Sequence, residues 1–212
     1  MPAFAAVFFD LDGTLLNTTP LYEQADTAFF GELGMTLTRE HFNDLYNTGW
    51  HLAAEWMIAL GFGKEQHEEL RQRRFRMFIE HLEHGVTYYA DADYLLTALE
   101  GRPNTGIITT SHDVLIDVSH RHTGIRDRMT ILATGDEVKK GKPDPEGLLL
   151  AAKKLGVEPK DCLYVGDLPS DIQAAKNAGM HSCLVWRAHT PQGADIHADY
   201  RLDSLEGLVK LL

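Results

Sequence analysis

The stretch AAVFFDLDGTLLNTTP, residues 5–20, decides the fold, because its five leading small or apolar residues run directly into two carboxylates. Asp10 and Asp12 stand where a buried strand would end, and Gly13 permits the chain to turn away there. Side chains two residues apart share one face of an extended chain, so the two carboxylates are expected to converge. Buried carboxylates repel each other and lose hydration, a cost that a bound cation offsets. The alternative is a strand followed by an ordinary Asp-Gly turn.

Further apolar runs have the character of buried parallel strands, since each ends at glycine or polar residues and helical sequence follows. These runs are residues 106–108, 162–166 and 181–186, with a weaker one at 129–134. The helical patterns associated with them cover residues 113–122, 145–156 and 171–179. Alternating strands and helices predict an α/β fold, a doubly wound parallel sheet with a Rossmann-like core, which binds ligands beyond the carboxyl ends of its strands.

One long segment interrupts this alternation. Between about residue 19 and residue 85 the sequence shows long helical patterns and no strand. We therefore assign residues 17–85 to an inserted all-helical domain, and residues 1–16 and 86–212 to the α/β core. An insertion placed just after the first strand is expected to act as a lid over the end of that strand.

Composition argues against several classes of function. The chain has 212 residues and a formal net charge of −11, so nonspecific binding to nucleic acid or anionic membranes is disfavoured. Its two cysteines are too few for a disulfide scaffold, and no apolar run is long enough for a membrane helix. The segment from Met1 to Phe9 lacks the basic region of a signal peptide. These features predict a cytoplasmic protein with neither a nucleic acid nor a membrane partner.

The run GIITTSH, residues 106–112, ends a predicted strand in hydroxyl residues just before a helix. Hydroxyl groups and free backbone N–H groups at a helix start form an anion site, which makes Thr109 and Thr110 candidate phosphate ligands. The alternative is that Thr110 or Ser111 simply caps the helix.

Two further motifs place charged residues beside predicted helices. Lys142 precedes Pro143 in a turn, and proline restricts the backbone of the residue before it. Such a lysine is usually a solvated surface charge, and it becomes a candidate phosphate clamp only beside an anion site. Asp167 follows a buried strand through Gly166, and Asp171 comes four residues later, where it also fits the N-cap of the next helix.

In their order and spacing these motifs resemble the four motifs of the haloacid dehalogenase superfamily: DLDGT at residues 10–14, Thr109, Lys142 and GDLPSD at residues 166–171. The resemblance covers the core, residues 5–20 and about 100–190. The inserted segment resembles the helical cap of this superfamily, in the position found in phosphoglycolate phosphatase-like and β-phosphoglucomutase-like members. The second acid, Asp12, is typical of its phosphotransferases and is lacking in its dehalogenases.

The resemblance implies a role for each core residue. Asp10 would be the nucleophile that forms an aspartyl-phosphate. Asp12 would be the general acid for the leaving alcohol and then the base that activates water. Thr109, Thr110 and Lys142 would hold the phosphoryl oxygens.

A divalent cation is also implied, because an anion that attacks a phosphate dianion needs its charge neutralised. Mg²⁺ suits oxygen ligands. The resemblance gives it the side chains of Asp10 and Asp167 and the backbone carbonyl of Asp12, with Asp171 in support.

In the helical segment, YNTGWH at residues 46–51 is the candidate substrate loop, because Gly49 separates two helical patterns. Trp50 and His51 would then stack on, or hydrogen-bond to, a substrate. Alternatively, Trp50 belongs to the core of the helical domain. The basic run RQRRFR, residues 71–76, favours a solvated helix face.

The sequence therefore predicts a Mg²⁺-dependent phosphatase whose partner is a small phosphorylated metabolite, and no feature specifies an oligomeric state. The alternatives are a sugar phosphomutase and a catalytically silent binding protein of the same fold. The loop at residues 46–51 lacks the arginine that phosphomutase relatives commonly carry for a second phosphate, which favours hydrolysis. The intact set of acids, threonine and lysine argues against a silent protein.

Overall fold

The computed structural model of the chain describes residues 4–101, 104–191 and 196–212. Residues 1–3, part of the segment considered above for a signal peptide, lie outside these ranges. The chain divides into two compact units: an α/β unit, which runs to Asn17 and resumes at Val86, and a helical unit, Thr18–Gly85. Within the described residues, no helix combines the length and the apolar character needed to cross a lipid bilayer.

The α/β unit is built on one six-stranded sheet in which all paired strands are parallel. Its strands in chain order are β1 (Ala6–Phe9), β2 (Thr105–Ile108), β3 (Ile131–Ala133), β4 (Cys162–Gly166), β5 (His181–Val185) and β6 (Tyr200–Leu202). Across the sheet their order is β3-β2-β1-β4-β5-β6. The predicted doubly wound parallel fold is confirmed, and the weaker apolar run also contains a strand.

The strand order determines where a site can form. From β1 the chain moves outward through β2 and β3, and then crosses to β4, β5 and β6 on the other side. β1 and β4 are neighbours, with Phe9 opposite Val165, and the strand order reverses between them. In open parallel sheets, ligands bind beyond the carboxyl ends of the strands at such a reversal. Asp10 and Asp167 directly follow these two strand ends.

Helices flank the strands of the α/β unit, and the helical unit is built from helices and short connections. In chain order they are α1 (Thr19–Glu32), α2 (Arg39–Thr48), α3 (Trp50–Ala59), α4 (His67–Glu83), α5 (Ala90–Ala98), α6 (Asp113–Thr123), α7 (Glu146–Leu155) and α8 (Pro169–Ala178). The first four belong to the helical unit and the rest to the α/β unit. α8 begins two residues before its predicted start, because proline is favoured at the first helical position.

One face of the sheet packs against α7 and α8. Phe8 of β1 lies opposite Tyr164 of β4, and both are fully buried. They share an apolar cluster with Leu148 and Ala151 of α7 and Ala175 of α8. Burying a large apolar side chain contributes roughly 1.5–3 kcal/mol. This packing fixes the two strands whose ends carry the acidic residues.

The helical unit has an apolar core of its own. Phe29 and Phe30 of α1 are fully buried, together with Leu45 of α2 and Met57 of α3. A separate core is what allows a segment of this size to form a compact unit.

A buried ion pair lies within the helical unit. Arg74 of α4 donates to both carboxylate oxygens of Asp26 of α1, at 2.6 and 2.9 Å. The two side chains are 12% and 2% exposed. Burial raises the pKa of Asp26, and the hydrogen bonds from Arg74 oppose that rise. The solvated face predicted for residues 71–76 is therefore wrong for Arg74, because this side chain packs against α1.

Replacing Arg74 with methionine is expected to destabilise the chain by about 3–5 kcal/mol, because Asp26 remains buried without its cation. Urea unfolding followed by circular dichroism measures the change. The matched control is Arg71→Met on the same helix, since Arg71 pairs with Glu68 at the surface and exposed pairs contribute little to stability. Equal shifts of the unfolding midpoint in the two variants would contradict the role of the buried pair.

Candidate active site

Asp10 and Asp12 follow β1 at the carboxyl edge of the sheet. Asp10 is buried and Asp12 is half-buried. Gly13, with a φ of +84°, turns the chain directly afterwards in a conformation that other residues rarely adopt. The two carboxylates have different partners: Asp10 pairs with Lys142, and Asp12 accepts a hydrogen bond from the Ser111 hydroxyl.

Lys142 lies inside the acidic cluster. Its Nζ is 2.5 Å from Oδ1 of Asp10 and 2.5 Å from Oδ1 of Asp171, and it donates to the Tyr164 hydroxyl at 3.1 Å. The lysine side chain is 10% exposed. The alternative interpretation of Lys142 as a solvated surface charge is therefore wrong. Tyr164 is fixed in turn, since its hydroxyl donates to the Ile108 carbonyl at 2.9 Å.

Asp171 connects the start of α8 to the end of β4. Its Oδ2 accepts hydrogen bonds from the backbone N–H groups of Leu168 at 2.9 Å and Asp167 at 3.2 Å. Because α8 begins at Pro169, Asp171 is the third residue of the helix and not its N-cap, but it still satisfies backbone donors at the helix start. A Cβ on Gly166 would lie 2.4 Å from the Asp171 Cβ, so glycine is needed for this close approach.

Asp167 is fully buried, and its carboxylate is held from two sides. The Thr14 hydroxyl donates to Oδ1, and Nε2 of His189 lies 2.6 Å from Oδ2. The Thr190 hydroxyl donates to the backbone carbonyl of Asp167 at 2.9 Å. Hydrogen bonds of this kind orient carboxylates that bind metal ions.

The residues after β2 lie at the neighbouring strand end. Thr109 is buried, and its Oγ1 accepts a hydrogen bond from the Ser111 N–H at 3.0 Å. Thr110 is exposed, and its carbonyl oxygen lies so close to Gly135 that a Cβ there would be 2.3 Å away. His112 is the N-cap of α6. The alternative role of Thr110 or Ser111 as the helix cap is therefore wrong.

Burial and mutual repulsion govern the charge of the cluster. Burial raises the pKa of Asp10 well above its usual value, while Lys142 acts in the opposite direction. Burial also raises the pKa of Asp171, again against Lys142. Burial alone would lower the pKa of Lys142, but the adjacent Asp10 and Asp171 carboxylates raise it well above its usual value. The lysine therefore stays charged beside the Asp10 and Asp171 carboxylates.

The acidic residues fit a divalent cation. Carboxylate oxygens of Asp10, Asp167 and Asp171 lie within 4.8 Å of one another, and all three residues are buried. Oxygen donors of this kind are preferred by hard cations such as Mg²⁺. A cation would favour the ionised carboxylates and so offset the effect of burial. The cluster contains the Asp171 side chain, whereas the set implied by the resemblance used the Asp12 carbonyl.

Trp50 and His51 lie in the helical unit, and no extended loop surrounds them. α2 ends at Thr48 and α3 begins at Trp50, so Gly49 alone separates the two helices. Its φ of +74° allows an abrupt break within one residue, which is why the predicted loop is absent. Trp50 packs against the apolar core of the helical unit. His51 is exposed, with its Nε2 3.5 Å from a carboxylate oxygen of Glu55.

Thr14, Ser111, Tyr164 and His189 contact the candidate site residues, but the sequence assigned them no part in the site. Thr14 could have been identified from the sequence, because it belongs to the DLDGT motif. For Ser111 the sequence indicates, as an alternative, a helix cap, and Tyr164 belongs to a predicted apolar strand. His189 lies in a stretch without periodicity, so no local pattern marks it.

Comparison with known proteins adds an independent finding. Residues 7–185 match the family model described as haloacid dehalogenase-like hydrolase. The N-acetylmuramic acid 6-phosphate phosphatase of Pseudomonas aeruginosa is 30% identical over 220 residues, covering 98% of this chain and 96% of that protein. The phosphoglycolate phosphatase of Xylella fastidiosa is 32% identical over 201 residues, covering 91% of this chain and 86% of that protein. The crystal structure of CbbY from Rhodobacter sphaeroides in complex with phosphate has a TM-score of 0.83 at 23% identity, covering 97% of this chain and 96% of that one.

Proposed function

The chain belongs to the haloacid dehalogenase-like hydrolases, and we propose that it hydrolyses a small organic phosphate monoester through a phosphoryl group carried by Asp10. The chain is a phosphatase. This is the activity named for the two relatives above, which it matches over most of their length. The observation that carries the proposal is the buried cluster at the strand ends. There the Lys142 Nζ lies 2.5 Å from both Asp10 and Asp171, and carboxylate oxygens of these two residues and of Asp167 lie within 4.8 Å of one another.

Asp10 acts as the nucleophile in the proposed reaction. Its carboxylate oxygen bonds to phosphorus while the ester P–O bond breaks, and Asp12 gives its proton to the leaving oxygen. A water molecule then attacks the phosphorus, Asp12 takes a proton from that water, and inorganic phosphate leaves as Asp10 is regenerated. Two contacts support this division: the Lys142 ammonium lies beside Asp10 and favours its ionised form, and the Ser111 hydroxyl donates to the Asp12 carboxylate.

Thr109, Thr110 and Lys142 are proposed to hold the phosphoryl oxygens, Lys142 through its charge. Asp10, Asp167 and the Asp12 carbonyl, supported by Asp171, would hold a divalent cation, which we propose to be Mg²⁺. When bound, this cation neutralises charge on the phosphoryl oxygens and so lets one anion approach another. Lys142 offsets part of the carboxylate charge through its ammonium group.

The proposed substrate is a small phosphorylated metabolite, with Trp50 and His51 as candidate substrate contacts from the helical unit. The two relatives above are named for N-acetylmuramic acid 6-phosphate and phosphoglycolate. We also propose a cytoplasmic location, which the unpaired state of Cys162 and Cys183 supports because a reducing compartment keeps thiols free.

A screen for phosphate release tests the proposed function. The purified chain is incubated with Mg²⁺ and a panel containing N-acetylmuramic acid 6-phosphate, phosphoglycolate and common sugar phosphates. We expect inorganic phosphate from at least one compound. Conversion of a sugar phosphate to its isomer without phosphate release would identify a phosphomutase instead, and binding of a compound without reaction would identify a silent binding protein.

Replacing Lys142 with methionine is expected to lower kcat/KM for phosphate release by about 10²–10³-fold, the effect of removing one charged donor from a developing anion. Lys140→Met is the matched control, because Lys140 lies in the same loop but is 74% exposed. Circular dichroism and the thermal midpoint report whether each variant folds. A folded Lys142→Met variant with kcat/KM close to that of the control would remove Lys142 from the phosphate site.

A further inference from the structure

The Asp12 carboxylate has a specific partner in Ser111. The Ser111 hydroxyl donates to Oδ2 of Asp12 at 2.5 Å, across 99 positions of sequence. This distance is typical of a strong hydrogen bond from a hydroxyl group to a carboxylate. Both residues are half-buried, so the contact lies at the edge of the buried cluster and not within it.

Hydrogen bonds made by the backbone of Ser111 hold this residue in place. Its N–H donates to the Thr109 hydroxyl at 3.0 Å, and its carbonyl accepts a hydrogen bond from the Gly135 N–H at 2.9 Å. Gly135 has no room for a side chain, since a Cβ there would lie 2.3 Å from the Thr110 carbonyl oxygen. The loop after β2 therefore presents the Ser111 hydroxyl from a defined position.

The nature of this partner suits a group that gains and loses a proton in each cycle. A serine hydroxyl both donates and accepts hydrogen bonds, so it stays bonded to a carboxyl group in either form. The ammonium of Lys142, which holds Asp10, can only donate, and its positive charge favours the ionised form of a carboxyl group. The Ser111 hydroxyl can therefore hold the orientation of the Asp12 carboxyl group through the hydrogen bond seen here.

We propose that Ser111 is a positioning residue for the reaction: its hydroxyl holds the Asp12 carboxyl in the orientation from which Asp12 protonates the leaving oxygen. This inference rests on the proposed function, in which Asp12 is the general acid. It assigns to the loop after β2 a second task besides binding phosphate through Thr109 and Thr110.

The test compares two esters that differ in their need for a proton. Phenyl phosphate has a poor leaving group that requires protonation, whereas 4-nitrophenyl phosphate releases a stable anion. We expect Ser111→Ala to lower kcat/KM for phenyl phosphate by roughly tenfold or more, because positioned proton transfer contributes about 10²–10⁴-fold. For 4-nitrophenyl phosphate the loss should stay below about threefold, since little proton transfer is needed. Ser111→Thr keeps the hydroxyl and should restore most of the lost rate.

Two further variants serve as the control and the reference for this test. Ser119→Ala removes a buried hydroxyl from α6 and should leave the ratio of the two kcat/KM values unchanged. Asp12→Asn should show the same dependence on leaving group as Ser111→Ala, with a larger amplitude. If Asp12→Asn shows this dependence while Ser111→Ala loses rate equally on both esters, or on neither, the role of Ser111 is refuted and the proposed function stands. If Asp12→Asn shows no dependence, the assignment of Asp12 fails, and the inference fails with it.

Discussion

Asp10→Asn is expected to abolish phosphate release, with a loss of at least about 10⁴-fold, as for other enzymes that lose their nucleophile. The amide of asparagine has nearly the shape of the carboxylate but cannot attack phosphorus, so no phosphoryl-enzyme forms. Release of inorganic phosphate from the ester identified in the screen measures the effect.

The fold is expected to survive this substitution. The asparagine Oδ1 still accepts a hydrogen bond from Lys142, which lies 2.5 Å from Oδ1 of Asp10. Removing one charge also lessens repulsion among buried carboxylates, so the thermal midpoint should not fall. Asp203→Asn, at an exposed position of the same unit, is the matched control and should keep full activity. If the Asp10→Asn variant releases phosphate at a rate comparable to the control, another group is the nucleophile.

The strand ends could be predicted from the sequence because buried parallel strands are recognisable as short apolar runs. The runs at residues 5–9 and 162–166 appear as β1 and β4 within one residue. Once the sheet is parallel, the carboxyl ends of neighbouring strands must share an edge, and the proximity of Asp10 and Asp167 follows. Local pattern and topology together therefore predict the acidic part of the cluster.

The other contacts could not be predicted, because they join loops or helix faces that are distant in sequence. The hydrogen bond between Ser111 and Asp12 depends on how the loop after β2 folds back. The pairing of Arg74 with Asp26 depends on how two helices pack across 48 residues of sequence. In both cases the sequence shows that the residues carry a charge or a hydroxyl group. No local sequence pattern identifies which residue each of them contacts.

The contacts of α2 could not be predicted from the sequence either, for a different reason. Its sequence is mostly polar, and only Phe42 and Leu45 are buried. The sequence predicts a helix before Gly49, but two apolar residues three positions apart do not show which elements the buried face of that helix contacts. The helix is stabilised by the core that Leu45 shares with α1 and α3, together with the hydrogen bond from the His41 N–H to the Thr38 hydroxyl at its start.

Removal of divalent cations is expected to stop the reaction, and addition of Mg²⁺ to restore it. Neutralising the charge of a phosphate dianion before attack by Asp10 is worth several kcal/mol, so the loss should be roughly 10³-fold or more. The chain is dialysed against EDTA, freed of chelator, and assayed with and without Mg²⁺. Ca²⁺ should restore little activity, because it takes more ligands in a less rigid geometry.

The Asp167→Asn variant tests whether Asp167 is a ligand of the divalent cation that the reaction requires. The amide of asparagine is a weaker ligand than the carboxylate, and the variant also loses charge beside Thr14 and His189. We expect the Mg²⁺ concentration for half-maximal activity to rise by roughly 10–100-fold, and binding of Mn²⁺ measured by electron paramagnetic resonance to weaken in parallel. Asp203→Asn, at an exposed position, should change neither value. Full activity in a chain that elemental analysis shows to be free of metal would mean that Lys142 alone neutralises the phosphoryl charge, and the acidic cluster would then need another explanation.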